Sequence, residues 1–302
     1  MVLWLGPRVS IAPILLRFTH ALEMQQAADA QMMNQVAQAT DLLEQFATQF
    51  NLLSVLGTVP LLQVPSLLAR RGGGGSPLGE SHVFSLSSPF AAIPWWAGLL
   101  LAGIALGFLY LNEIAHQVDT LPAYSEHPAG KSVVTDPATA NGLAQDSIRK
   151  FARFLLFALG LAVAAFSVLS LWLIVVAMGT LIAQSIGILL WIAGVGIASY
   201  AALHLVFVVP GLLLGNRRLL QAVGESVVLS HMHLSSVVGL VVLAAVIYEG
   251  LALAWSLPSP SSWALLVGIA GNAAVATGLT GAAFIFYRER WMLANRVDEE
   301  ID

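Results

Sequence analysis

The chain has 302 residues, of which 58% are hydrophobic and only 10% charged, and its mean hydropathy is +0.81. A soluble domain draws about a quarter of its residues from Asp, Glu, Lys and Arg, so there is too little polar surface here to cover a 32.0 kDa particle in water; the composition points to an integral membrane protein. A net charge of −4 leaves no basic face to neutralise phosphates, which sets nucleic-acid binding aside, and zero cysteines exclude disulfides, thiolate metal sites and a cysteine nucleophile.

Taken in chain order, Leu22, Met32, Val36, Ala39, Leu43, Phe46 and Phe50 recur at helical intervals on a Gln-rich stretch. They predict a long amphipathic helix within residues 1–51. No Lys or Arg lies between Thr19 and Ala69, so this helix is expected to pack on the bundle or on a second copy in preference to anionic lipid. Residues 52–69 carry Pro60, Gln63 and Pro65, and proline removes amide donors that lipid cannot replace. That segment reads as a kinked span or a surface hairpin, a candidate sixth crossing. Residues 70–92, with Gly72 to Gly75 followed by Ser76 and Pro77, read as a flexible Gly/Ser/Pro linker.

A helix crossing a hydrocarbon core of about 30 Å needs about 20 mainly apolar residues. Five stretches meet that requirement, 93–112, 154–183, 186–215, 237–257 and 263–287, and Glu249 is the only formal charge within them. The predicted fold class is therefore all-α: a polytopic transmembrane helix bundle over residues 93–302, with five spans, a candidate sixth and an amphipathic N-terminal helix. Arg149, Lys150 and Arg153 precede the second span, Arg217 and Arg218 follow the third, and Arg288, Arg290 and Arg296 follow the last. With Lys131 these segments hold nine of the thirteen Lys and Arg residues, whereas the connections 184–185 and 258–262 hold none. Cations accumulate on the cytoplasmic side, which puts the loop at about 113–150 and the C-terminus inside the cytoplasmic (plasma) membrane. The N-terminus is inside if 52–69 crosses, where Arg8 and Arg17 would obey the same rule, and outside if it does not. Arg8 and Pro13 interrupt the initial apolar residues, so no secretory signal is recognisable.

Glu249 is the sharpest polar feature. It lies nine residues before Pro258, and Asn272 lies nine residues after Trp263, so both should sit about 13 Å down their helices at about 1.5 Å per residue. An ionisable group at that depth marks either a site or an interhelical clamp. The reading favoured here is a neutral Glu249 hydrogen-bonded to Asn272, with Tyr248 as helper; a proton or substrate pathway is the alternative. His204, one turn after Tyr200, reads as a hydrogen-bonded packing residue more than a ligand. Gly268, Gly271, Ala274, Gly278 and Ala282 read as a small-residue face for close helix approach. Glu113 and His116 have the spacing of one half of a carboxylate-bridged metal site, but one copy makes no site. His231 and His233 alternate on a segment, 217–235, expected to be an interfacial helix. No Gly-x-Ser-x-Gly, His-Glu-x-x-His or phosphate-loop motif occurs, so no catalytic residue, metal site or cofactor is assigned.

Several of these residues carry a resemblance. The stretches WLGPRVSIAP from Trp4, VPSLLARR, LGFLYLNEIAHQV, LLQAVGESVVLSHMHL and GNAAVATGLTGAAFIFYRER resemble a set of uncharacterised bacterial polytopic membrane proteins. They are also loosely similar to the membrane domain of some glycerophosphodiester phosphodiesterases. The resemblance covers most of the chain, its motifs are patterns of membrane packing, and it implies no catalytic residue. It also implies a further apolar segment ahead of the WLGPR element, which bears on whether Met1 is the true start.

The expected role is non-catalytic: a membrane scaffold, assembly factor or accessory subunit whose partners are the lipid bilayer and other membrane protein subunits. The runner-up is a permease or lipid-handling transporter with a polar site around Glu249, Asn272 and His204.

Overall fold

The computed structural model describes residues 2–17, 37, 40–47, 50–57, 62–67, 77–79, 82–121, 140–215, 217–259 and 261–299. Its elements are α1 (Val2–Leu5), β1 (Arg8–Ser10), a 3-10 helix (Leu52–Gly57), β2 (Val83–Ser85), α2 (Pro89–Thr120), α3 (Ala140–Ile182), α4 (Gln184–Leu205), α5 (Val208–Leu213), α6 (Leu219–Met232), α7 (Leu234–Trp255) and α8 (Leu265–Glu299). The fold is an all-α helical bundle. Among the described residues five stretches are long and apolar enough to cross a membrane: α2, α3, α4 continued by α5, α7 and α8. The chain is a multi-pass membrane protein. Leu22, Met32, Val36 and Ala39 of the expected amphipathic helix lie outside the described residues; residues 40–47 are helical, and Phe46 stacks on Phe50 with centroids 5.0 Å apart.

Two compact units make up the chain: Met1–Gly107 with Val246–Ala276, and Phe108–Ala245 with Thr277–Asp302. In the first, β1 and β2 pair in parallel with Val9 opposite Phe84, a contact between three-residue strands more than seventy residues apart. Val9 is buried with Leu52, Leu53 and Val55, and Leu99 and Leu100 of α2 pack on that cluster. Asn51 holds the arrangement. Its side-chain Oδ1 accepts the amide of Leu53 at 3.2 Å, capping the 3-10 helix, and the amide of Val9 at 3.1 Å, tying that helix to β1.

The candidate sixth crossing takes a different form. Residues 52–57 are a 3-10 helix, 62–66 are irregular, and the remaining residues of 52–69, apart from Leu67, lie outside the described set. This chain lies against α2 where Gly103 and Gly107 leave the helix surface bare. A Cβ at Gly103 would come within 3.0 Å of the Leu56 carbonyl, and one at Gly107 within 2.8 Å of Gln63 Cα and closer still to the Leu62 carbonyl oxygen. Irregular backbone survives next to a membrane span only when protein covers it, and Leu52, Leu53, Leu62, Gln63 and Leu67 are buried accordingly. At the other edge of the unit Trp4 packs with Leu67 and Leu265 and meets Trp263 edge-on at 5.6 Å. The α7–α8 hairpin closes there on Trp255, whose indole fills the space a Cβ would take at Gly271.

In the second unit α3 and α4 form a hairpin joined by one residue, Ala183, in extended conformation (φ −160°, ψ 139°). Gly194 gives Trp172 room to seat against α4. α2 continues past its apolar span to Thr120 because Leu111, Ile114, Ala115 and Val118 make a buried stripe at i, i+3, i+4 and i+7. Phe108 packs on Phe151 and Phe154 of α3 at 5.2 and 5.7 Å, and Tyr110 donates to Thr277 Oγ1 at 3.1 Å.

Candidate functional site

Glu249 and Asn272 both belong to the first unit. Asn272 is buried at 2% exposure, whereas Glu249 is exposed on α7 and Tyr248 beside it is half-buried. Both residues belong to the α7–α8 hairpin, Glu249 on α7 and Asn272 on α8. Counting residues gives height along a helix; at about 3.6 residues per turn, the face depends on rotation, which the count leaves free.

His204 and Tyr200 lie in the second unit, on the last turns of α4. The imidazole is buried, its Nδ1 donates to the Tyr200 carbonyl at 2.8 Å, and the two rings approach to 4.3 Å. Glu113 accepts from Gln117 Nε2 at 3.1 Å, and Glu113, His116 and His231 are exposed while His233 is half-buried. Among the described residues no group of three His, Asp or Glu side chains is placed to hold a metal ion.

The densest polar arrangement surrounds the break between α4 and α5. Pro210 has no amide proton and its ring crowds the carbonyl four residues earlier, at Val206. The helix accordingly opens at residues 206–207 and resumes at Val208. Two serines of α6, one turn apart and both fully buried, take up the freed main-chain groups. Ser226 Oγ accepts the Phe207 amide at 3.2 Å and donates to the His204 carbonyl at 2.6 Å, and Ser230 Oγ donates to the Leu203 carbonyl at 3.2 Å. Ala222, Ser226, Leu229 and Ser230 form the buried stripe of α6. Phe207 stacks on Phe286 and Tyr287 of α8 at 5.5 and 6.2 Å, with Leu229 and Val237 completing the cluster.

Next to this break a charged group joins α3, α6 and α8. Arg217 Nε lies 3.3 Å from Glu225 Oε1, Tyr287 donates its hydroxyl proton to Glu225 Oε2 at 3.2 Å, and the Arg217 guanidinium stands 5.1 Å over the Trp291 ring. Arg153 reaches across from α3 to donate to the Arg217 carbonyl at 3.1 Å. Arg288 closes the C-terminal end of α2 by donating to the Val118 and Leu121 carbonyls, the favourable place for a cation on a helix dipole. Ser226, Ser230 and Tyr287 were not among the residues singled out from sequence, and Arg153 was read there only as a cation that marks the cytoplasmic side. The signal for the serines was available: Pro210 inside a span, followed by two small hydroxyl residues at i and i+4.

No family model, curated protein or solved structure matches the chain.

Proposed function

We propose that this chain is a non-catalytic membrane scaffold or accessory subunit, akin to the uncharacterised polytopic proteins it resembles. It would reside in the cytoplasmic membrane with its C-terminus on the cytoplasmic side, an orientation supported by the nine cations at residues 113–153, residues 217–218 and the C-terminal segment. The observation that carries the reading is the outward face of α7 in the first unit. Val246, Glu249 and Leu253, at i, i+3 and i+7, are all exposed. A helix face that sets a polar side chain among exposed apolar ones suits packing against a neighbouring membrane helix. Support also comes from the polar side chains Asn51, Ser226, Ser230, His204 and Arg288, each of which bonds to main-chain groups of its own chain.

The test is a photo-crosslinking residue at Val246 in native membranes, followed by mass spectrometry of the adducts. A discrete membrane-protein adduct, retained in Glu249→Gln and lost in Glu249→Leu, is the expected result. Lipid adducts alone would refute the reading, as would proton-coupled solute flux in proteoliposomes abolished by Glu249→Gln, which would point to a transporter.

A further inference from the structure

The small sheet of the first unit has one closed edge and one open edge. On the closed side the Val9 amide of β1 is taken by Asn51. On the other side lies β2. The bonds that flank its pairing with β1 run from the Arg8 amide to the His82 carbonyl at 2.8 Å and from the Leu86 amide to the Ser10 carbonyl at 2.9 Å, in the register that sets Phe84 against Val9. They use even-numbered residues, and main-chain groups alternate in direction along a strand, so the N–H and C=O of Val83 and Ser85 point away from β1. Among the described residues no hydrogen bond meets these outward groups, and all three residues of β2 are exposed. The outward row continues at Ser87, whose carbonyl accepts from the Arg17 guanidinium at 3.4 Å. Arg17 is itself exposed and forms no ion pair among the described residues. A cation therefore stands at the end of an unused row of peptide donors and acceptors. Val83 and Phe84, on opposite faces of the strand, are 58% and 61% exposed.

We propose that the outer edge of β2 receives an extended segment of a partner protein as a third strand, with an acidic residue of that segment paired to Arg17. An unfilled row of peptide groups is a template for another backbone in extended conformation. Val83 and Ser85 each offer it one donor and one acceptor, and the Val83 and Phe84 side chains give its alternate residues an apolar neighbour on either face. Arg17 sets the sign of the charge. Its guanidinium spends one N–H on Ser87 and keeps others in a planar fork that matches a carboxylate. The proposal concerns residues outside α7 and does not depend on the scaffold reading.

The experiment uses the full chain in phosphatidylcholine nanodiscs and a fluorescein-labelled probe peptide, Asp-Val-Thr-Val-Thr-Val-Thr-Asp, read by fluorescence anisotropy. Wild-type protein should bind this probe saturably and bind its counterpart with Lys at both ends about fivefold more weakly. Arg17→Gln should bring the two peptides to equal affinity. Ser85→Pro removes an outward amide and spares residues 82, 84 and 86, which bond to β1, so it should weaken binding about fivefold while the Arg8 amide stays protected from exchange. Should that variant lose the β1–β2 pair, the probe N-methylated throughout tests the same bonds on unaltered protein, and it should not bind. Equal binding of the N-methylated probe, or of the Lys probe to wild type, would overturn the proposal. So would tighter binding of both probes by Arg17→Gln, which would make Arg17 a guard that keeps strands off the edge. The chain has no cysteine, so Phe84→Cys gives a last check: a disulfide between two copies in native membranes would assign the edge to a second copy and overturn the partner assignment.

Discussion

Replacing Ser226 by alanine removes one oxygen atom and leaves two main-chain groups without partners. The Phe207 amide loses its acceptor at 3.2 Å and the His204 carbonyl loses its donor at 2.6 Å. The site is fully buried, so water does not substitute. An orphaned buried polar group costs about 1–3 kcal/mol, while interhelical hydrogen bonds in membranes average about 0.6 kcal/mol with a maximum near 1.7. For two bonds, one of them short, the expected loss is about 2–3 kcal/mol. Ser230→Ala, which breaks a single bond of 3.2 Å, should cost about 1 kcal/mol. Unfolding in mixed detergent–SDS micelles, followed by circular dichroism, measures both. A third variant isolates the cause. Pro210→Ala restores an amide to the helix and lets the turn at 206–207 close on itself, so Ser226→Ala should cost at least about 1 kcal/mol less in that background. A loss from Ser226→Ala below about 0.5 kcal/mol, or the same loss with and without Pro210, would refute the account of the break given above.

Two other substitutions probe the first unit. Gly107→Ala drives a methyl group into the main chain at Leu62 and Gln63 and should destabilise by about 1–3 kcal/mol; a loss confined to hydrogen-exchange protection at residues 62–67 would show that the irregular segment is displaced, whereas unchanged protection would contradict the packing described. Asn51→Ala removes both the cap of the 3-10 helix and its tie to Val9, for about 1–2 kcal/mol, and should raise exchange at Val9 and Leu53 together; exchange rising at one amide alone would separate the two roles.

The five spans were legible because crossing lipid demands some twenty apolar residues in a row, a requirement of composition that survives without any tertiary knowledge. The close approach at Gly268 and Gly271 was legible for a related reason: small residues at helical spacing leave a surface that something must fill, and Trp255 fills it. Other features depend on partners distant in sequence. Three-residue strands at Arg8–Ser10 and Val83–Ser85 show no usable alternation, so β1–β2 pairing and the seating of Val9 on Leu52 and Leu53 left no local trace. The segment 52–69 was recognised as troubled by its prolines, but whether it crosses, kinks or folds onto a neighbour depends on Gly103 and Gly107 of another element. At the α4–α5 break, the proline announced a need for hydrogen bonds, and the serines that meet it come from a helix beginning some ten residues later.

The single-residue joint at Ala183 bears on how the two helices move. With no slack between them, α3 and α4 share their turn end, so a tilt or shift of one helix there is passed directly to the other. On that face of the membrane the pair offers no protruding peptide for a protease to cut or an epitope to occupy. Lengthening the joint with a flexible tag would therefore uncouple the two helices at that end and let each tilt on its own.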